Sequence, residues 1–165
     1  MREKFGYKNA MSVPRILKVV VNSGVGRFKE KTEQEEIVKY LGLITGQKPM
    51  PRPARQSIAS FKVREGQTVG YKITLRGARM YDFLSRLIDA ALPRMRDFRG
   101  LSLSGIDEGG SLTIGLKENI VFPETIGEDM RTPFGLQITV VTNARSKKET
   151  EELLRQVGFP LERKE

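Results

Sequence analysis

The sequence predicts an α+β fold, in which an antiparallel or mixed sheet carries helices on one of its faces. Three observations favour this class. Strand-like alternation and helical periodicity both occur, the segments between them are too short for regular crossover connections, and one strand is apolar on one side only. The 165 residues suit a single compact domain, and no linker divides them.

The first strand and the first helix are predicted near the start of the chain. Residues 15–22 contain a β-branched run typical of a buried strand, and residues 23–26, which include two glycines, indicate a tight turn. Thr32 and Glu35 have the spacing of a helix capping box, and apolar residues then recur at helical intervals. We therefore expect a helix over 33–45.

A basic arm, a half-buried strand and a second helix follow. Prolines occupy three of the six positions in 48–53, so this segment must be extended, at a sheet edge or in a loop; the arm and its loop span 48–66. In 69–76, apolar residues alternate with Gly, Lys, Thr and Arg, which indicates one buried face and one basic face. Apolar residues at helical spacing over 80–91 predict an amphipathic helix that Pro93 ends and that covers the apolar face of the sheet.

The last third of the chain predicts two more strands and a final helix. Residues 112–116 alternate and residues 136–142 form a β-branched run, so each is expected to be a strand. Ser146 and Glu149 have capping-box spacing at the start of an amphipathic helix. The segment 105–111, which holds adjacent glycines and acids, is expected to be a flexible loop.

The positive charge of the chain is concentrated in one segment. The sequence has 29 Lys and Arg against 20 Asp and Glu, a net charge of +9. Residues 44–79 hold eight basic residues and one acid, a net charge of +7. Such a single-sign patch on a strand face and a stiff arm suits a polyanion. Because aromatic residues near it are few, the sequence favours a folded RNA recognised by shape over stacking on single-stranded bases.

The sequence excludes several kinds of chemistry. It has no Cys and no His, which excludes disulfides, Cys/His zinc sites and imidazole catalysis. The turn Gly24-Val25-Gly26 begins like a dinucleotide-binding fingerprint, but Lys29 stands at the position of the third glycine. We expect a soluble cytoplasmic protein without catalytic residues, metal, cofactor, small-molecule substrate, signal peptide or membrane span.

Seven longer motifs then occur in a specific order. They are Val19-Val20-Val21-Asn22-Ser23-Gly24-Val25-Gly26, Ile44-Thr45-Gly46-Gln47-Lys48-Pro49, Ser57-Ile58-Ala59, Phe61-Lys62-Val63-Arg64-Glu65-Gly66, Lys72-Ile73-Thr74-Leu75-Arg76-Gly77, Arg79-Met80-Tyr81 and Leu92-Pro93-Arg94-Met95-Arg96-Asp97-Phe98-Arg99-Gly100-Leu101. Over essentially its whole length the chain resembles the family of large-subunit ribosomal protein five, in its bacterial or organellar form.

This resemblance implies a structural protein of the central protuberance, with a five-stranded antiparallel sheet and helices on one side. Members of the family bind 5S rRNA and help attach it to the 23S-type rRNA of the large subunit. The family's 5S contacts correspond to Asn22, Gln47, Thr74 and Arg76, and we add the neighbouring Lys72 and Arg79.

The resemblance also implies two further partners. The loop 54–66 would contact the P-site tRNA, and a plain surface hairpin is the alternative for it. The residues assigned to the tRNA contact are Arg55, Gln56, Ser57, Lys62 and Arg64. Segments after Arg99 and around 122–134 would face small-subunit ribosomal protein thirteen in an intersubunit bridge.

Two functions of other classes remain as alternatives. A basic phosphotransfer enzyme or nuclease would need a pair of metal-binding carboxylates facing the basic patch. A peripheral protein of anionic membranes would more commonly carry its basic patch on an amphipathic helix than on a strand.

Overall fold

A computed structural model describes residues 1–28, 30–96, 98–125 and 133–162, and their centre is a five-stranded sheet. The strands are β1 (Ile16–Gly24), β2 (Met50–Pro53), β3 (Thr68–Leu75), β4 (Leu112–Leu116) and β5 (Leu136–Thr142). Their order across the sheet is β2-β3-β1-β5-β4, and every neighbouring pair is antiparallel. The predicted α+β class and the five-stranded antiparallel sheet are confirmed.

The four α-helices of the described ranges are α1 (Arg2–Phe5), α2 (Lys31–Thr45), α3 (Ala78–Arg86) and α4 (Lys147–Val157). After α3 the chain continues through a π-helical turn, Leu87–Ala91, and a 3₁₀ turn, Leu92–Arg94. The regular α-helix thus ends at Arg86, earlier than the predicted 80–91, and the helical turns continue through Pro93 to Arg94 before the backbone becomes extended at Met95.

One face of the sheet carries the core. Apolar side chains alternate along the strands, so that Val19 and Val21 of β1 are fully buried while the intervening positions face outward. The helices bury their apolar stripes against this face, for example Ile37 of α2, Phe83 of α3 and Leu154 of α4. The predicted packing of helices on one face is confirmed.

The predicted start of α2 was wrong, both in its position and in its capping residue. The helix begins at Lys31 with Glu30 at its N-cap, and the Glu30 carbonyl accepts from the N–H of Gln34 (3.3 Å). Thr32 lies inside the helix and its hydroxyl donates to the Glu30 carboxylate (3.4 Å) rather than capping the backbone. Gln34 instead fixes the preceding turn, because its Nε2 donates to the carbonyl of Phe28 (2.9 Å).

The predicted capping box of α4 is present and connects the helix to the N-terminal segment. The N–H of Glu149 donates to Ser146 Oγ (3.3 Å), and the Glu149 carboxylate accepts from the N–H of Arg145 (2.8 Å). Hydrogen bonds from the Tyr7 hydroxyl and then from the Arg145 N–H hold the pKa of Glu149 below its ordinary value. Desolvation, together with the adjacent Glu149 carboxylate, raises the pKa of Tyr7.

The segment 105–111 is anchored more firmly than its composition suggested. The N–H of Ser111 donates to Asp107 Oδ1 (2.7 Å), which closes a tight turn. The buried Gly110 carbonyl accepts from the hydroxyls of Thr142 (2.7 Å) and Thr150 (3.1 Å). These two threonines lie on distant parts of the chain, so local patterns do not reveal the anchors.

Candidate RNA interface

The sheet face opposite the helices is open, and its side chains form rows across the strands. Lys72 of β3 is opposite Asn22 of β1, and Asn22 is opposite Gln137 of β5. Directly opposed residues of antiparallel strands point to the same face, so the three side chains lie side by side. The next row holds Thr74, Val20, Thr139 and Thr113.

Two opposed glycines form part of the floor of this face. Gly24 of β1 pairs with Gly70 of β3, and neither carries a side chain that would fill the space above the strands. A depression of about 410 Å³ lies there, with Asn22, Lys72 and Gln137 on its walls. A nucleic-acid backbone could therefore approach the strands closely, with amide and ammonium groups at its sides.

The structure brings together most of the predicted 5S-contact residues. Asn22, Lys72 and Thr74 lie on the open face, with Asn22 exposed and the other two half-buried. Gln47 follows α2 and reaches the same region, because its Nε2 donates to the carbonyl of Thr74 (3.3 Å). This hydrogen bond uses one amide donor and leaves the Gln47 Oε1 acceptor for other partners.

Arg76 and Arg79 lie at one end of this face rather than at its centre. Arg76 directly follows β3, and Arg79 is in the first turn of α3; both side chains are exposed. Gly77 allows the sharp change of direction between them, since its φ of 59° is in the left-handed region that favours glycine. The two arginines thus follow the end of β3 that carries Thr74.

The basic patch of residues 44–79 is not neutralised within the described part of the chain. Seven of its eight basic side chains are exposed and Lys72 is half-buried. No carboxylate among the described residues lies within 4.0 Å of their cationic nitrogens. Elsewhere cations are paired, as in Lys4 with Glu152 and Arg155 with Glu151. The unpaired patch therefore keeps its full attraction for a polyanion.

Several residues of the open face escaped the sequence-based prediction. Gln137 and Thr139 alternate with the buried residues of β5, and Arg52 projects from the edge strand β2. A second depression beside Gly24 continues the surface toward Arg27 and Lys117. Alternation along 136–142 could have revealed Gln137 and Thr139, but only strand pairing shows that they extend the row of Asn22.

The loop 54–66 forms a closed hairpin with basic flanks. Its base is joined by hydrogen bonds from Ala54 N–H to the Gln67 carbonyl (2.8 Å) and from Gly66 N–H to the Ala54 carbonyl (3.0 Å). The exposed Ser57 accepts at Oγ from the N–H of Glu65 (2.9 Å), and its O–H remains as a donor. The other predicted tRNA-contact residues are all exposed, namely Arg55, Gln56, Lys62 and Arg64.

The described residues also bear on what the two alternative functions would require. Among the described residues, no group of three or more Asp or Glu side chains is placed to hold a metal ion. No helix in the described ranges is long and apolar enough to span a membrane. What the face offers is a wide, shallow surface of amides, hydroxyls and cations, which is the chemistry of backbone and 2′-hydroxyl contacts to RNA.

Comparison with known proteins agrees with the resemblance seen in the motifs. Residues 9–64 match the family described as "Ribosomal protein L5", and residues 68–161 match the family model of the ribosomal L5 C-terminus. The large ribosomal subunit protein uL5 of Alkaliphilus metalliredigens is 49% identical, over 97% of this chain and 90% of the relative. The proteins of that name from Malacoplasma penetrans and Limosilactobacillus fermentum are 47% and 46% identical, over 97% and 96% of this chain and 86% and 88% of theirs.

The two matched families together cover most of the chain, and the identities extend over nearly its full length. The suspected family is thereby confirmed, and the enzyme alternative is set aside. The chain belongs to the ribosomal protein L5 family and is a structural, non-enzymatic constituent of the large ribosomal subunit.

Proposed function

We propose that the open face of the sheet binds 5S rRNA and helps attach it to the 23S-type rRNA in the central protuberance. The observation that carries this proposal is the placement of Asn22, Lys72 and Thr74 on one face, with Gln47 bonded to Thr74. These residues come from separate parts of the sequence. A surface that gathers uncharged donors and acceptors among unpaired cations suits specific RNA binding.

The cations and the uncharged residues have different tasks in this proposal. Arg52, Arg76 and Arg79 around the face attract phosphates and fix the position of the RNA, without reading its sequence. Asn22 and Gln137, exposed in the middle of the face, can both donate and accept hydrogen bonds. They supply the selectivity for one folded RNA over another.

A triple variant, Asn22→Ala with Thr74→Ala and Arg76→Ala, tests this division. Two neutral hydrogen bonds and one charged hydrogen bond are removed. The sum of their binding free energies predicts an affinity for 5S rRNA at least roughly 50-fold weaker. The slope of log affinity against log salt should fall by about one, because only one cation is lost. Lys147→Ala with Lys148→Ala on α4 is the control. Unchanged affinity in the triple variant would refute the proposed face.

We also propose that the hairpin 54–66 contacts the P-site tRNA. Its exposed Arg55, Lys62 and Arg64 support this, because no described carboxylate neutralises them. Replacing the three by Gln should weaken P-site tRNA binding to the large subunit and reduce its salt dependence, while 5S rRNA binding stays the same. Equal tRNA affinity with and without the three charges would leave the hairpin as a plain surface loop.

The third proposed contact is the bridge to small-subunit ribosomal protein thirteen. Beside β4 a groove of about 490 Å³ is lined by Phe98, Leu101 and Ile114, with Arg99 at its side. This mixture of apolar and basic groups suits a protein partner. Part of the expected bridge, residues 126–132, lies outside the described residues. Because the chain has no Cys, Arg99→Cys gives a single crosslinking site, and a missing crosslink to protein thirteen in whole ribosomes would contradict the bridge.

A further inference from the structure

The tip of the 54–66 hairpin presents an aromatic side chain on a closed backbone. Ile58 and Val63 exchange two backbone hydrogen bonds (3.0 and 3.2 Å), and a 3₁₀ turn, Ala59–Phe61, lies between them. Lys62 ends this turn with a φ of 52°, in the left-handed region. The result is a short closed tip on which the Phe61 side chain is 75% exposed.

This exposure is unusual within the molecule. Phe83, Phe122 and Phe134 are completely buried in the core, as expected for a side chain with so much apolar surface. Phe61, in contrast, lies outside the core, and the exposed Ile58 adds further apolar surface to the tip. An exposed aromatic group held on a closed backbone loses little conformational entropy on binding, which favours a role in recognition.

The charges around the tip indicate the kind of partner. Arg55, Lys62 and Arg64 are exposed on the same hairpin, and no described carboxylate pairs with them. A partner with phosphates therefore fits better than an apolar protein surface. A paired RNA helix hides its base faces, whereas an unpaired nucleoside offers an apolar face next to its phosphates.

We propose that Phe61 packs on the face of an unpaired nucleoside in the RNA that the hairpin binds, while the cations beside it hold the neighbouring phosphates. This inference rests on the proposed tRNA contact of the hairpin and specifies how that contact is made. It also changes the expectation from the sequence, which disfavoured stacking because aromatic residues near the basic patch are few. A single aromatic residue is enough for stacking when the fold presents it at an exposed tip.

Phe61→Ala in large ribosomal subunits is the first test. Base–aromatic stacking predicts a loss of tRNA affinity of about 5- to 150-fold, with the salt dependence unchanged because no charge is removed. Tyr81→Ala is the matched control, since Tyr81 is an aromatic residue that is 54% exposed on α3, away from the hairpin. Equal tRNA affinity of the Phe61 and Tyr81 variants would overturn the inference.

A spectroscopic test uses the absence of tryptophan. Phe61→Trp makes the tip the only tryptophan in the isolated chain, and stacking on a base should quench its fluorescence. Folded tRNA should quench it strongly, and a fully paired RNA duplex with as many phosphates should quench it weakly. Equal quenching by both RNAs would contradict packing on an unpaired nucleoside.

The outcomes also separate this inference from the proposed function. If replacing Arg55, Lys62 and Arg64 by Gln weakens tRNA binding but Phe61→Ala does not, the hairpin contact stands and the packing fails. If neither change has an effect, both fail. If Phe61→Ala instead weakens binding only to vesicles with anionic lipid, the tip is a membrane contact and the inference is overturned.

Discussion

Replacing Gly24 by Leu tests whether RNA enters the depression on the open face. Beyond the adjacent residues of the chain, a Cβ at residue 24 would meet no heavy atom within 4 Å, and the side chain would extend from it into the depression. Replacing a glycine at the last position of a strand also lowers the entropy cost of folding, so the melting temperature should stay the same or rise. The Leu side chain would occupy the space beside Asn22, Lys72 and Gln137.

The size of the effect follows from the contacts that the Leu side chain blocks. Neutral hydrogen bonds from Asn22 and Gln137 are worth about 0.5–1.5 kcal/mol each, so their loss predicts a 5S rRNA affinity about 5- to 150-fold weaker. The slope of log affinity against log salt should fall by at most about two, because Arg52 and Lys72 are the cations that line the depression. Fluorescence anisotropy of labelled 5S rRNA at several salt concentrations measures both quantities.

Gly42→Leu is the matched control for this prediction. Gly42 lies in α2, on the helix side of the sheet, and a Cβ there also meets no atom within 4 Å. The control should bind 5S rRNA like the unsubstituted chain. If Gly24→Leu folds normally and also keeps full affinity, the RNA does not enter the depression and the reasoning is refuted.

Two predictions concern stability. Gly110→Ala should lower the free energy of unfolding, measured by urea denaturation, by roughly 2–4 kcal/mol. The reason is that the φ of Gly110 is 77° and a Cβ there would lie 2.8 Å from Thr150 Oγ1. A decrease below about 0.5 kcal/mol would show that the 105–111 turn can adjust its conformation at little cost. Glu149→Gln should lower the free energy of unfolding at neutral pH by at most about 1 kcal/mol, since the group is partly solvated. Folding lowers the pKa of Glu149 below its ordinary value of 4.5. The ionised carboxylate therefore stabilises the folded protein above pH 4.5, and this stabilisation is lost as the pH falls through the lowered pKa. The two proteins should therefore converge in acid, and a constant difference between them would contradict this assignment.

Local patterns in the sequence were sufficient for most of the fold. The structure confirms the predicted strands at 112–116 and 136–142 and the predicted cap of α4 by Ser146. These features were predictable because alternation, β-branching and capping depend on neighbours within a few residues. The start of α2 was misplaced, since Thr32 bonds to Glu30 and not to the backbone. Helix ends depend on single hydrogen bonds that a motif does not determine.

The candidate site was predicted only where one strand or the family resemblance revealed it. Alternation put Lys72 and Thr74 on the outward face of β3. The alignment of Asn22 with Gln137 depends on pairing between strands that lie near opposite ends of the chain. The bond from Gln47 to Thr74 and the exposure of Phe61 likewise depend on tertiary packing. Periodicity in a single segment carries no such information.

The most direct measurement of the central claim is site-specific photocrosslinking within the large ribosomal subunit. A benzophenone amino acid replaces Gln137 on the open face in one chain and Leu43, exposed on α2, in another. If the open face binds 5S rRNA, the probe at position 137 crosslinks to 5S rRNA and the probe at position 43 does not. A 5S crosslink from position 43 without one from position 137 would contradict the account.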